Sequence, residues 1–146
     1  MEYIEEKTLN ATIIKPYISP KYDARYVYGN GKMTDKAVPT CSGLYLIGEI
    51  NYEDDTNYLV YKVKIGKGKN LKNRLKTYIT YSTSIRLFDV CYVHDIMLDK
   101  EEERMHEILD KYCWHIGDTE WCVISRENYQ ILKKYGFNGI NKLKKI

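Results

Sequence analysis

The chain has 146 residues and a mass of 17.3 kDa, the size of one ordinary domain around a single core, so a second full-sized catalytic domain is not expected. With 44% apolar and 29% charged residues it has the make-up of a soluble globular protein, and no stretch approaches the ~18 apolar residues of a membrane span. The net charge of +3 is small, but it is sorted along the chain. Residues 1–58 carry six Lys/Arg against nine Asp/Glu, and residues 87–127 carry four against eleven. Residues 59–86 carry eight basic side chains and residues 128–146 five, both without an acid. Such a block is either a solvated face or a surface for a polyanion. The acidic start, Met1 to Glu6, lacks the order of a signal peptide, so an intracellular, reducing location is expected, with the four cysteines as thiols.

Residues 1–40 hold all three prolines and the turn-like Tyr28-Gly29-Asn30-Gly31, which predicts an irregular N-terminal extension to a domain at 41–146. Gly43–Ile47 and Tyr58–Ile65 are rich in strand formers and separated by a polar run, the pattern of a hairpin. Val63 and Ile65 share one face of the second strand, Lys62 and Lys64 the other. Gly66-Lys67-Gly68-Lys69 turns the chain, and Asn70 is placed to cap a helix to about Thr80 with Leu71, Leu75 and Tyr78 as its buried stripe. A third strand is expected at Ile85–His94. Asp99 is expected to cap a helix over Lys100–Cys113, with Met105, Ile108, Leu109 and Tyr112 inward. Glu120–Ile124 is a short extended piece, and Ser125 caps a last helix to about Tyr135. The fold class is α+β, a small antiparallel or mixed three-stranded sheet flanked by helices.

Three segments in order, Gly43-Leu44-Tyr45, Lys64-Ile65-Gly66-Lys67 and Asn70 to Tyr78, resemble the core signature of the GIY-YIG endonuclease superfamily. Glu102-Glu103-Arg104-Met105-His106 and Thr119-Glu120-Trp121 are similar to the branch frequent in phages and large DNA viruses, so a viral protein in a host cytoplasm or nucleus is implied. The resemblance covers about residues 42–135. It implies a metal-dependent DNA endonuclease that needs Mg²⁺, with Mn²⁺ as a substitute, and no small-molecule cofactor or membrane partner. Two departures stand out: Lys64 occupies the place of the family's second tyrosine, and the Tyr45–Lys64 spacing is longer, as an extended hairpin loop allows.

Phosphodiester hydrolysis needs an oriented or deprotonated water and cations for the developing phosphoryl charge. Arg74 and Tyr78 lie one helical turn apart, and a guanidinium can grip a phosphate through two donors. The resemblance makes Tyr45 the residue that orients or deprotonates the water. A phenol of ordinary pKa near 10 needs nearby cations for the second task, and Lys64 and Lys67 are candidates for that field. For the metal, helical rotation puts Glu101 within the apolar arc, Glu103 opposite it and Glu102 at its edge beside His106. The edge position and the family's acid four residues before a histidine both select Glu102 as metal ligand. His106 is then a supporting or phosphate-contacting group, and Glu120 a lesser metal candidate. Lys62, Lys69, Lys72 and Lys76 are the candidates for contacts to the DNA backbone.

Other readings of the same residues stay open. A fold that binds nucleic acid without cutting it would keep the basic block, and an adaptor would work through residues 1–40. The glycine turn lacks the spacing of a nucleotide-binding P-loop. Cys91 with His94, and Cys113 with His115 and Cys122, hint at zinc but contain no Cys-x-x-Cys pair, so a structural zinc is not expected.

Overall fold

The computed structural model describes residues 3–7, 12–16, 40–52, 59–81, 84–115 and 120–145. Its strands are β1 (Tyr3–Lys7), β2 (Thr12–Pro16), β3 (Gly43–Tyr52), β4 (Leu59–Gly68), β5 (Arg86–Tyr92), β6 (Trp114–His115) and β7 (Cys122–Ile124). The α-helices are α1 (Leu71–Tyr81), α2 (Leu98–Leu109) and α3 (Arg126–Tyr135). The fold is α+β as expected, and the three expected strands form the middle of a wider sheet ordered β1-β2-β5-β3-β4-β7-β6. Every neighbouring pair in it is antiparallel. Within the extension expected to be irregular, residues 3–7 and 12–16 are strands. The turn expected at Tyr28–Gly31 lies outside the described residues.

The β3–β4 hairpin is the longest ladder, running in register from Gly43↔Gly68 to Tyr52↔Leu59. Strand alternation gives it two covered faces. Tyr45 and Ile47 pack with Leu71 and Leu75 of α1 and with Ile85, Leu87 and Val90. Leu44, Leu46, Val63 and Ile65 pack on the other face with Met105, Ile108 and Leu109 of α2 and Tyr129 and Leu132 of α3. The lysine face of β4 is therefore a second core boundary, and Lys62 and Lys64 reach past it. A bulge in β5 lets Leu46 pair with Asp89 and Ile47 with Leu87.

The helix starts follow their caps, with one exception. Asn70 Oδ1 accepts from Asn73 N at 3.1 Å, and Ser125 Oγ accepts from Asn128 N at 3.1 Å. The second helix starts at Leu98, with Met97 as N-cap and no capping side chain, because the Asp99 carboxylate is instead bonded to Lys67. It also ends at Leu109, where the last turn tightens into a 3₁₀ turn at Asp110–Tyr112. Among the described residues no helix is long and apolar enough to cross a membrane, and all four cysteines are free thiols.

One buried carboxylate locks the end of α3 to the sheet. Asp89 accepts from Val90 N through Oδ1 and from Phe137 N through Oδ2, each at 2.9 Å. Gly136 stands at φ +61°, and a Cβ there would lie 2.2 Å from Asp89 Oδ2. Asp89→Ala leaves the buried Phe137 N–H unsatisfied and is expected to cost about 1–3 kcal/mol. Urea unfolding measures this as a lower midpoint at unchanged slope. A variant as stable as the parent would show that the carboxylate does not hold the turn.

Candidate active site at the end of the central hairpin

Four expected residues meet on the α1 side of the sheet. Because Asn70 starts the helix two residues after β4 ends, α1 folds back beside the strand and brings Arg74 and Tyr78 over its last residues. Tyr45 is fully buried, and its ring meets that of Tyr78 edge-on with centroids 5.7 Å apart. The two hydroxyls are 2.9 Å apart and share a hydrogen bond. The Lys64 ammonium lies 5.4 Å, and the Arg74 guanidinium carbon 5.7 Å, from the centroid of the Tyr78 ring, both within cation–π range. Glu120 Oε2 is 3.3 Å from Lys64 Nζ, and its charge also reaches Arg74. A Cβ on Gly66 would fall 2.2 Å from the Tyr45 ring, so the glycine makes room for the tyrosine.

The electrostatics of Tyr45 differ from the expectation. Burial first, then the hydrogen bond and charge of Tyr78, push its hydroxyl well above the usual tyrosine value. Arg74 pulls it down by charge and hydrogen bonding without offsetting this. Tyr45 is therefore a neutral phenol at pH 7, and the lowering expected from neighbouring cations is overridden by desolvation.

Lys67, Glu102 and Asp99 form a second group. Lys67 is one residue beyond Gly66, so strand alternation turns it to the α2 face, away from Tyr45 and Arg74 but at the same end of the hairpin. Its ammonium is bonded to Asp99 and lies 3.4 Å from Glu102 Oε1. Asp99 raises the Lys67 pKa and is itself lowered by the bond. The structure thus joins Tyr45, Tyr78, Arg74, Lys64 and Glu120 on one face, and Glu102 with Lys67 on the other.

The three glutamates follow helical rotation: Glu101 is buried, Glu102 half-buried and Glu103 exposed. The donor chemistry around Lys67 fits a hard divalent cation, since two carboxylates already converge there on one positive charge. His106 stands beside this group, and its Nε2 is 2.6 Å from the Ile65 carbonyl oxygen. That contact makes Nε2 a donor and occupies it.

Of the four lysines expected on DNA, Lys69 and Lys76 are exposed and Lys72 half-buried on the turn and α1. Lys62 is turned inward, 3.5 Å from Glu49 and 5.8 Å from the Trp121 ring. Asp99 reads as a helix cap, and Trp121 was legible only as part of the Thr119-Glu120-Trp121 motif; tertiary packing brings both to the lysines.

Comparison with curated proteins gave no significant match, nor did comparison with solved structures. The family model of the T5orf172 domain, a phage-associated domain found in homing-endonuclease-like proteins, matches residues 43–135. That stretch runs from the first residue of β3 to the last of α3 and contains every residue of both groups, and by it the chain belongs to the T5orf172 domain family.

Proposed function

We propose that the protein is a metal-dependent DNA endonuclease with a GIY-YIG-type site. The observation that carries this reading is the cluster of two hydrogen-bonded tyrosine hydroxyls with Arg74 and Lys64 flanking one ring. The family's occurrence in homing-endonuclease-like proteins supports it. In this reading Arg74 binds the scissile phosphate through two parallel N–H donors and stabilises the charge that grows on its oxygens. Lys64 adds a second fixed cation. Tyr45, neutral at pH 7, orients the water through its hydroxyl and Tyr78 rather than taking its proton. Lys69, Lys72 and Lys76 hold the DNA backbone without reading its sequence.

Glu102, with Asp99 beside it, is the group that would hold Mg²⁺ or Mn²⁺, and Lys67 would yield the carboxylates to it. Such an ion would supply positive charge to phosphoryl oxygens at the end of the hairpin. A second reading, binding without cleavage, is favoured by the same Lys67–Glu102 pair, which neutralises the carboxylate within the protein.

Nicking of supercoiled plasmid with Mg²⁺ separates the two. The endonuclease reading expects cleavage that Arg74→Ala lowers about 10²- to 10³-fold and that Glu102→Gln abolishes. Salt-sensitive binding with no nicking at any Mg²⁺ or Mn²⁺ concentration would establish the second reading instead. In either case Lys72→Ala and Lys76→Ala each weaken binding on all sequences and reduce the salt slope by about 1.

The state of Tyr45 gives a separate expectation. Its folded pKa is raised, so the unfolded chain ionises first as pH climbs past about 10, and stability falls there. Tyr45→Phe should make that alkaline loss shallower in denaturant titrations. Rate profiles of parent and Tyr45→Phe between pH 6 and 9 should keep the same shape; a rising limb lost in the variant would make Tyr45 the base.

A further inference from the structure

The zinc reading set aside on sequence grounds returns once the chain is folded. Asp110, Cys113, His115 and Cys122 place one ligand atom each within 4.8 Å of all the others. They come from three elements: the 3₁₀ turn after α2, β6, and β7 across the hairpin. His115 and Cys122 are register partners in β6–β7, which puts their side chains on one face. Cys113 precedes β6, and its sulfur lies within 4.8 Å of that of Cys122. The spacing rules look for ligands three or four residues apart, whereas this set is closed by strand pairing over seven.

The geometry points to a structural site for a zinc-type cation, held by the sulfurs of Cys113 and Cys122, a ring nitrogen of His115 and the carboxylate of Asp110. Zinc bonds of about 2.3 Å to sulfur and 2.0–2.1 Å to nitrogen, at tetrahedral angles, put those ligand atoms about 3.6 Å apart. Cys122 Sγ is 3.7 Å from His115 Nδ1 and 3.9 Å from Nε2. No two ligand atoms are more than 4.8 Å apart, so shifts of about 1 Å complete the shell, and His115 and Asp110 are exposed. Asp110 Oδ1 is 2.6 Å from His115 Nε2, so the carboxylate already stands beside the imidazole. Two thiols and an imidazole select a borderline-soft ion over Mg²⁺, so this site is chemically distinct from the Lys67–Glu102 group. Binding releases the two thiol protons to solvent. Four protein ligands close the shell, which is the mark of a structural rather than a catalytic centre.

The position explains what such an ion would hold. β6 has two residues, and β7 has three that pair with β4 through Tyr61, Lys62 and Val63. A metal clip ties this short edge to the end of α2. It also fixes the segment just before Cys122, where Glu120 meets Lys64 and Trp121 meets Lys62. The inference does not rest on the endonuclease reading.

The test uses the full chain, expressed with added zinc and purified under thiol reductant. About one zinc per chain is expected by elemental analysis, with loss of thermal stability on chelation. Cobalt substitution is expected to give thiolate charge-transfer and tetrahedral visible bands, lost in Cys113→Ser and Cys122→Ser and kept in Cys41→Ser. Asp110→Ala should weaken zinc about 10- to 100-fold in competition with a chelating dye. If the cysteine variants fail to fold, the cobalt spectrum of the parent and the Asp110→Ala competition decide alone. Background zinc or a cobalt spectrum without thiolate bands would each overturn the site.

Discussion

The ring of Tyr45 crosses β4 over Gly66, where the strand has no side chain to meet it. With a Cβ at position 66 falling 2.2 Å from the ring, the pair Tyr45↔Gly66 admits no other residue on the β4 side. A slip of one residue would bring Ile65 or Lys67 beneath the tyrosine and turn every side chain of the strand to the wrong face. The register of the ten-residue ladder is thereby tied to the site it carries. Val63 and Ile65 go to the α2 and α3 core, Lys62 and Lys64 to the α1 face, and Tyr45 lies where Tyr78 can share its hydroxyl.

Charge sorting along the chain is reversed by folding. The basic block of 59–86 supplies Lys62, Lys64 and Lys67, and each meets a carboxylate from an acidic block: Glu49, Glu120, and Asp99 with Glu102. These contacts orient the lysines, though the exposed ones contribute little to stability. On the turn and α1, Lys69, Arg74 and Lys76 are exposed. The stretch that looked like one polyanion surface therefore divides into a strand whose lysines meet carboxylates and a helix on which Arg74 and Lys76 are exposed.

What was legible in the sequence is what local geometry determines. The Asn70 cap, the Leu71/Leu75/Tyr78 stripe and the rotation of Glu101, Glu102 and Glu103 follow from helical spacing, and all appear in the structure. The ordered glycine, tyrosine and arginine positions led to the same hairpin end because their spacing is set by a strand, a turn and one helical turn. What was not legible depends on long-range pairing. Asp99 reads as a cap until Lys67 takes its carboxylate. His115 and Cys122 are seven residues apart with no motif until β6 and β7 pair them. Tyr45 looked tunable by lysines because burial, the larger effect, has no local signature.

The Glu102-x-x-x-His106 spacing has a mechanical reason apart from any chemistry. Among the described residues β7 pairs with β4 only as far as Val63, and beyond it His106 Nε2 donates to the Ile65 carbonyl at 2.6 Å. Four residues of helix advance about 6 Å, and two residues of strand about 6.8 Å. A helix laid antiparallel along β4 with His106 over Ile65 must therefore bring the residue four positions earlier over Lys67, and that residue is Glu102. The histidine satisfies the strand edge, the strand sets the helix, and the helix delivers a carboxylate to the lysine at the end of the hairpin. His106 is in this sense a positioning residue: its ring need not touch substrate to determine where Glu102 stands.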